Sequence, residues 1–236
     1  MKPVCVVDTC SLVILHDIEL ANRSLHRWLW DEFAVVYSES VWGEIENNLD
    51  KMGNDKNSLR RNGRRYAPVF PQIDAYERAL FGQDHYRKEE IGKCKRCNRP
   101  FTESRAFLPD LTNPKDRGER HNLCLSLEQV IHTSNKQVIF LTDDYLAKRD
   151  YVDAVFEEFP VGRSWTSLDL ILYIFFKYRN RIPLNMVEAA LQDAIANAAG
   201  SGRAGQTQEA TQLWVKRKIL YIKRARRIYR FRSSMQ

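Results

Sequence analysis

Asp8 closes the first part of "VCVVDTCSLVIL" (residues 4–15), a stretch that is otherwise almost wholly apolar. A carboxylate at the end of a buried strand is costly unless it is paired, hydrogen-bonded or holding a cation. Other carboxylates follow in comparable places: Glu44 in "SVWGEI", Asp116 and Glu119 in "PKDRGERHNL", and Asp143 with Asp144 closing "IFLTDD". Brought together, such groups repel and some must protonate unless a cation neutralises them. Oxygen-rich clusters suit Mg2+ or Mn2+. Two such ions activate a water and steady the leaving oxygen of a phosphodiester. The competing view is plainer: Glu44 and Glu119 as charges favoured at helix starts, and "TDDYLAKRD" as a capped turn.

Two further groups carry chemistry. "CKRC" places Cys94 and Cys97 at the spacing of half a structural Zn2+ site. His121 and Cys124, about one helical turn apart in "HNLC", are candidates to complete it, as are His85 or a ligand from another chain. Cys5 and Cys10 read as buried thiols. The segment from Trp214 to Gln236 carries nine Lys or Arg and no acid, leaving 28 basic against 30 acidic residues before it. At helical spacing, Lys216, Arg217, Lys223, Arg224, Arg227 and Arg230 fall on one side. Trp214, Val215, Ile219, Tyr221, Ile222, Ala225, Ile228 and Tyr229 share the other. Such a face binds phosphates electrostatically and its exposed aromatics stack on unpaired bases. The bland alternative is a solvated helix docked on the body; an anionic membrane surface or a partner's groove fits the same pattern.

These groups need elements to hold them. "VCVVD" is β-branched and continuous, as in a parallel strand buried on both faces. "AVVYS" (34–38) and "QVIFLTDD" (137–144) are further strands. Helical spacing is found over 20–33, 39–49, 118–134, 183–199 and 209–232. Strands alternating with helices predict a three-layer α/β/α sandwich around a central parallel sheet, with ligands at the carboxyl ends of the strands. The alternation lapses over about 50–112, an expected insertion that carries the Cys-x-x-Cys knuckle. The predicted division is therefore a nuclease-like domain over 1–180 and a helical C-terminal extension over 181–236, ending in the basic tail.

"VVDTCSLV", the acidic residue of "WGEI", "DRGERHNLCL" and "FLTDD", in that order, resemble the four motifs of the PIN-domain nucleases, across roughly residues 4–175 without the insertion. PIN domains are typically Mg2+- or Mn2+-dependent endoribonucleases of toxin–antitoxin pairs, ribosomal-RNA maturation and RNA decay, with relatives that cut flapped DNA. Carried over by motif, Asp8, Glu44, Glu119, Asp143 and Asp144 would be the catalytic, metal-binding carboxylates, and Thr9 and Thr142 nearby hydroxyls. The Gly-Glu form of the third motif favours Glu119 over Asp116. Cys10 departs from the small hydroxyl residue that commonly follows Asp-Thr.

The longest apolar run, "LDLILYIFF" (168–176), is too short to span a membrane, and no signal peptide is read at the N-terminus. Five cysteines at uneven spacing do not make a secreted disulfide framework. The expectation is a cytoplasmic, metal-dependent endoribonuclease acting on single-stranded or structured RNA, with a protein partner or inhibitor and homodimerisation open. The alternatives are a non-catalytic RNA-binding or assembly protein with a PIN-like fold, or a structure-specific DNA nuclease.

Overall fold

Val4–Val7 (β1) is the centre of the molecule's sheet, and all four of its residues are buried. Its neighbours are Ala34–Ser38 (β2) on one side and Val138–Leu141 (β4) on the other, both parallel to it. Val69–Phe70 (β3) extends the sheet beyond β2 in parallel register, Tyr37 opposite Val69. The strand order is β3-β2-β1-β4-β5, with Gly162–Trp165 (β5) at the far edge. The computed structural model describes residues 2–48, 69–70, 117–132, 138–144, 148, 152–158, 162–200 and 219–230. The fold class is the expected three-layer α/β/α sandwich on a central parallel sheet, with an insertion and a C-terminal helical segment. β1 and β4 fit the continuous apolar type that such sheets require.

Two compact units make up the chain: residues 1–10 with 32–164, and residues 11–31 with 165–236. In the first, Glu39–Asn48 (α3) and Arg117–His132 (α4) follow β2 and precede β4, and α4 packs on β1, β2, β4 and α3. Asp153–Glu158 (α5) precedes β5. Gly162 is needed where it stands, because a Cβ there would lie 2.7 Å from the Val138 carbonyl oxygen and 3.1 Å from the Phe156 ring. Thr9–His16 (α1) begins in the first unit and ends in the second.

The second unit holds Leu25–Glu32 (α2) up to its last residue, Ser167–Lys177 (α6), Leu184–Gly200 (α7) and the helix over 219–230 (α8). α6 packs against α7. α7 buries Val187, Ala190, Leu191, Ala194 and Ile195, an i, i+3, i+4, i+7, i+8 stripe that one helix face produces. Among the described residues, no helix is long and apolar enough to cross a membrane.

Two expected elements come out differently. The helix predicted over 20–33 starts only at Leu25. Ala21 and Asn22 adopt φ of 55° and 59°, and the Leu20 N–H donates to the Arg23 carbonyl, so the segment before it is a turn closed by a bridge between Glu19 and Ser24. Within the expected insertion, β3 is a strand that two flanking prolines hid.

Candidate functional site

β1 ends by handing its last ladder bond forward: the Asp8 N–H donates to the Leu141 carbonyl at 3.0 Å. The Asp8 side chain is buried, and three donors of this chain converge on it. The Thr9 N–H reaches Oδ1 at 2.7 Å, the Cys10 thiol reaches Oδ2 at 2.8 Å, and the Thr142 hydroxyl reaches Oδ2 at 3.1 Å. Thr142 in turn accepts the Asp144 N–H at 3.1 Å, which ties the end of β4 into the cluster. The Thr9 hydroxyl donates to Glu44 Oε2 at 2.8 Å, so α3 joins as well. Burial pushes the Asp8 carboxyl up to about 6, with the Glu44 charge adding to the rise and the three donors opposing it. Burial, then the charges of Asp8, Asp143 and Asp144, hold the Cys10 thiol well above the usual thiol range, so it stays protonated and donates.

Asn122 does comparable work between β1 and β2. Its Nδ2 donates to the Val7 carbonyl at 2.9 Å and its Oδ1 accepts the Ser38 N–H at 3.0 Å. One buried amide thereby stands in for the ladder where the two strands end, satisfying backbone groups that would otherwise be orphaned. The first turn of α4 is placed by Gly118, where a Cβ would lie 2.7 Å from Glu44 Oε1 and 3.2 Å from Val41. Glu119 is half-buried beside it in the first turn of α4. His121 is buried, with Nδ1 2.8 Å from the Ser40 hydroxyl.

The structure places Asp8, Thr9, Cys10, Thr142, Asp143 and Asp144 at the carboxyl ends of β1 and β4, with Glu44 reaching Thr9 from the middle of α3. It does not make them a metal cage. Among the described residues, no group of three or more His, Cys, Asp or Glu side chains is arranged to hold a metal ion. This corrects the expected Mg2+- or Mn2+-dependent endoribonuclease and its two-metal chemistry, and the DNA-cutting variant, which needs the same cage, falls with it. The physical reason lies at Asp8 and Glu44: both Asp8 oxygens are engaged by amide, thiol and hydroxyl donors, the Thr9 hydroxyl holds Glu44 Oε2, and burial disfavours charge on Asp8. The expected Zn2+ is corrected on the same finding: His121 is bonded to Ser40, Cys124 is fully buried, and neither belongs to such a group among the described residues. Asp116, His85, Cys94 and Cys97 lie outside the described residues.

The C-terminal helix is the second candidate. α8 is anchored on one side by Tyr221 and Ala225, both buried, one turn apart. The Tyr221 hydroxyl donates to Asp169 Oδ1 on α6. The other oxygen of Asp169 accepts the N–H and hydroxyl of Thr166, each at 2.9 Å, so the cap of α6 and the anchor of α8 share one carboxylate. Arg226 donates to Glu188 on α7 at 2.7 Å. Lys223, Arg224, Arg227 and Arg230 are exposed, with the Arg224 guanidinium 5.0 Å from the Tyr221 ring. Of the expected apolar arc, Ile222 and Ile228 are half-buried, whereas Ile219 and Tyr229 are 52% and 40% exposed. Lys216 and Arg217 lie outside the described residues, as do Trp214 and Val215.

Asn122 was missed in the sequence, although it stands inside "DRGERHNL": a polar residue in a helix next to acidic ones gives no sign that it faces two strand ends. Comparison with protein-family models, with curated proteins and with solved structures finds no match to this chain.

Proposed function

We propose that this chain is a non-catalytic RNA-binding or assembly protein of PIN-like fold, working in the cytoplasm, with α8 as its RNA-contacting surface. The observation that carries this is the division of α8 into an anchored side and an open cationic side. Tyr221 and Ala225 hold the helix down, while Lys223, Arg224, Arg227 and Arg230 remain exposed on a segment with no acidic residue. Cations presented this way meet phosphates without regard to sequence and release their counterions, which makes binding salt-dependent. Tyr229 and Ile219, exposed beside them, offer apolar contact to unpaired bases. The PIN-like assignment is supported by the order of the motifs around Asp8, Glu44, Glu119 and Asp143 and by the central parallel sheet, whose strand ends carry two of those four motifs.

The test is RNA affinity as a function of salt, for the full chain and for the variant with Arg224, Arg227 and Arg230 all changed to Gln. These side chains are exposed, so the variant keeps the fold. It should bind single-stranded RNA more weakly at low salt, and the slope of log affinity against log salt should shrink by about 0.7 for each phosphate no longer neutralised. Unchanged affinity and slope would mean that α8 serves a protein partner or a membrane instead.

A further inference from the structure

The turn that joins α6 to α7, "FKYRNRIP" (176–183), interleaves aromatic and cationic side chains, and neither the strand-end cluster nor α8 makes use of it. Phe176 is 51% exposed at the end of α6, although the helix buries Ser167, Leu168, Leu170, Ile171, Ile174 and Phe175. The Arg179 guanidinium lies 5.5 Å from its ring centroid, and Lys177 Nζ lies 5.6 Å from that of Tyr178. Tyr178 leans on Trp28 with ring centroids 5.0 Å apart, and Arg23 stands 4.7 Å over the Trp28 ring while paired with Asp31. The turn itself is fixed, since the Tyr178 N–H donates to Ile174 and the Tyr178 carbonyl accepts the N–H groups of Arg181 and Ile182.

The helix dipole favours a cation at the C-terminus of α6, which accounts for one charge. It does not account for Lys177, Arg179 and Arg181 together, on a stretch from Leu170 to Val187 that contains no Asp or Glu. Nor does it account for a large aromatic ring left open to water beside them. An exposed ring with cations within a nucleotide's span is the arrangement that holds single strands: the bases stack and the phosphates are neutralised.

We infer that this turn is a second RNA-contacting surface, taking an unpaired base on Phe176 and its flanking phosphates on Lys177, Arg179 and Arg181, with single-stranded RNA as its substrate class. Resting on the RNA-binding role proposed above, it adds a preference that α8 alone does not supply. Phosphates are common to single strands and duplexes, whereas a base already paired and stacked cannot reach Phe176.

Titrating the full chain with labelled oligouridylate and with a duplex RNA of equal length tests this. Phe176→Ala should weaken binding of the single strand roughly five-fold to a hundred-fold, leave the duplex nearly unchanged, and leave the salt slope intact. Phe176→Tyr, which keeps the ring, should restore single-strand binding. The variant with Lys177, Arg179 and Arg181 changed to Gln should instead lower the slope, by about 0.7 per phosphate. Wild-type affinity in Phe176→Ala, or an equal loss on single strand and duplex, overturns the inference. If α8 substitutions weaken binding and Phe176→Ala does not, the RNA-binding role of α8 stands and this surface falls. If the unaltered chain binds neither RNA, both fall.

Discussion

At the end of β1, charged and polar side chains turn toward one another; along α8 they turn away. Asp8 is 3% exposed and takes three hydrogen bonds from Thr9, Cys10 and Thr142, each from its own chain. On α8, Tyr221 and Ala225 take the buried positions and Lys223, Arg224, Arg227 and Arg230 take the exposed ones. Both regions concentrate charge of one sign, but the first buries Asp8 and Asp143 whereas the second leaves Lys223, Arg224, Arg227 and Arg230 exposed. The difference teaches that a cluster of chemically capable residues is a site only if its donors and acceptors are not already spent on the fold. At Asp8 they are spent, and its hydrogen bonds with that of Thr9 to Glu44 tie β1, β4 and α3 together.

If the strand ends are held by buried polar contacts, the largest loss should come from the amide that bridges two of them. Asn122→Leu leaves the Val7 carbonyl and the Ser38 N–H without their partner. At roughly 1–3 kcal/mol for each buried group left unsatisfied, the variant should lose about 2–6 kcal/mol. Thermal unfolding should show a drop in Tm of roughly 5–15 °C. A drop under about 2 °C would mean the strands close equally well without it.

Asp8→Asn should act in the opposite direction at neutral pH. Its carboxyl is raised from 3.8 to about 6, so the folded state binds its proton more tightly than the unfolded chain does. Stability from this group is therefore greatest below pH 4 and falls as pH rises through 6, where the buried charge must be carried. Removing the charge should raise stability at pH 7.5 by up to roughly 3 kcal/mol, a gain that fades between pH 6 and 4. Unfolding curves at pH 7.5 and pH 4 check this, and a variant less stable at both would show that the lost acceptor outweighs the lost charge.

Smaller effects sharpen the contrast on the α8 side. Tyr221→Phe removes the hydroxyl that donates to Asp169 and should cost about 1 kcal/mol. Faster amide exchange over 219–230 should report it, with RNA affinity within two-fold of the unaltered chain because the exposed cations are untouched. Gly118→Ala is expected to matter least. The new methyl meets the far end of Glu44 and should turn it away from Thr9, losing a bond worth about 1 kcal/mol while gaining about as much in helix propensity. Net stability within about 1 kcal/mol of the unaltered chain is the expected result by chemical denaturation.

Continuous apolar runs explain why β1, β2 and β4, and helical spacing why α3, α4 and α7, could be found from the residues alone. Elements that depend on distant neighbours could not. β3 is two residues beside prolines and exists by pairing with Tyr37 and Ser38, and β5 has the half-exposed sequence "GRSW". The turn at Ala21 and Asn22 puts two ordinary residues at positive φ inside a helical pattern. The carboxylates were legible as a gathering because each follows a strand or opens a helix. Whether they meet a cation or neighbouring hydroxyl and thiol donors depends on side-chain direction, which periodicity does not carry. Cys10, the residue that departs from the expected motif, turns out to be one of the donors that occupy Asp8.

The proposed role of this chain is to hold RNA without cutting it. Labelled single-stranded RNA, incubated with the full chain at saturating concentration in Mg2+, in Mn2+ and in chelator, and then separated on a denaturing gel, tests that claim most directly. Shifted RNA on a native gel, recovered at full length in all three conditions, is the predicted result. Fragments that form with either ion, vanish with chelator, and vanish again in Asp8→Asn and Asp143→Asn would contradict it.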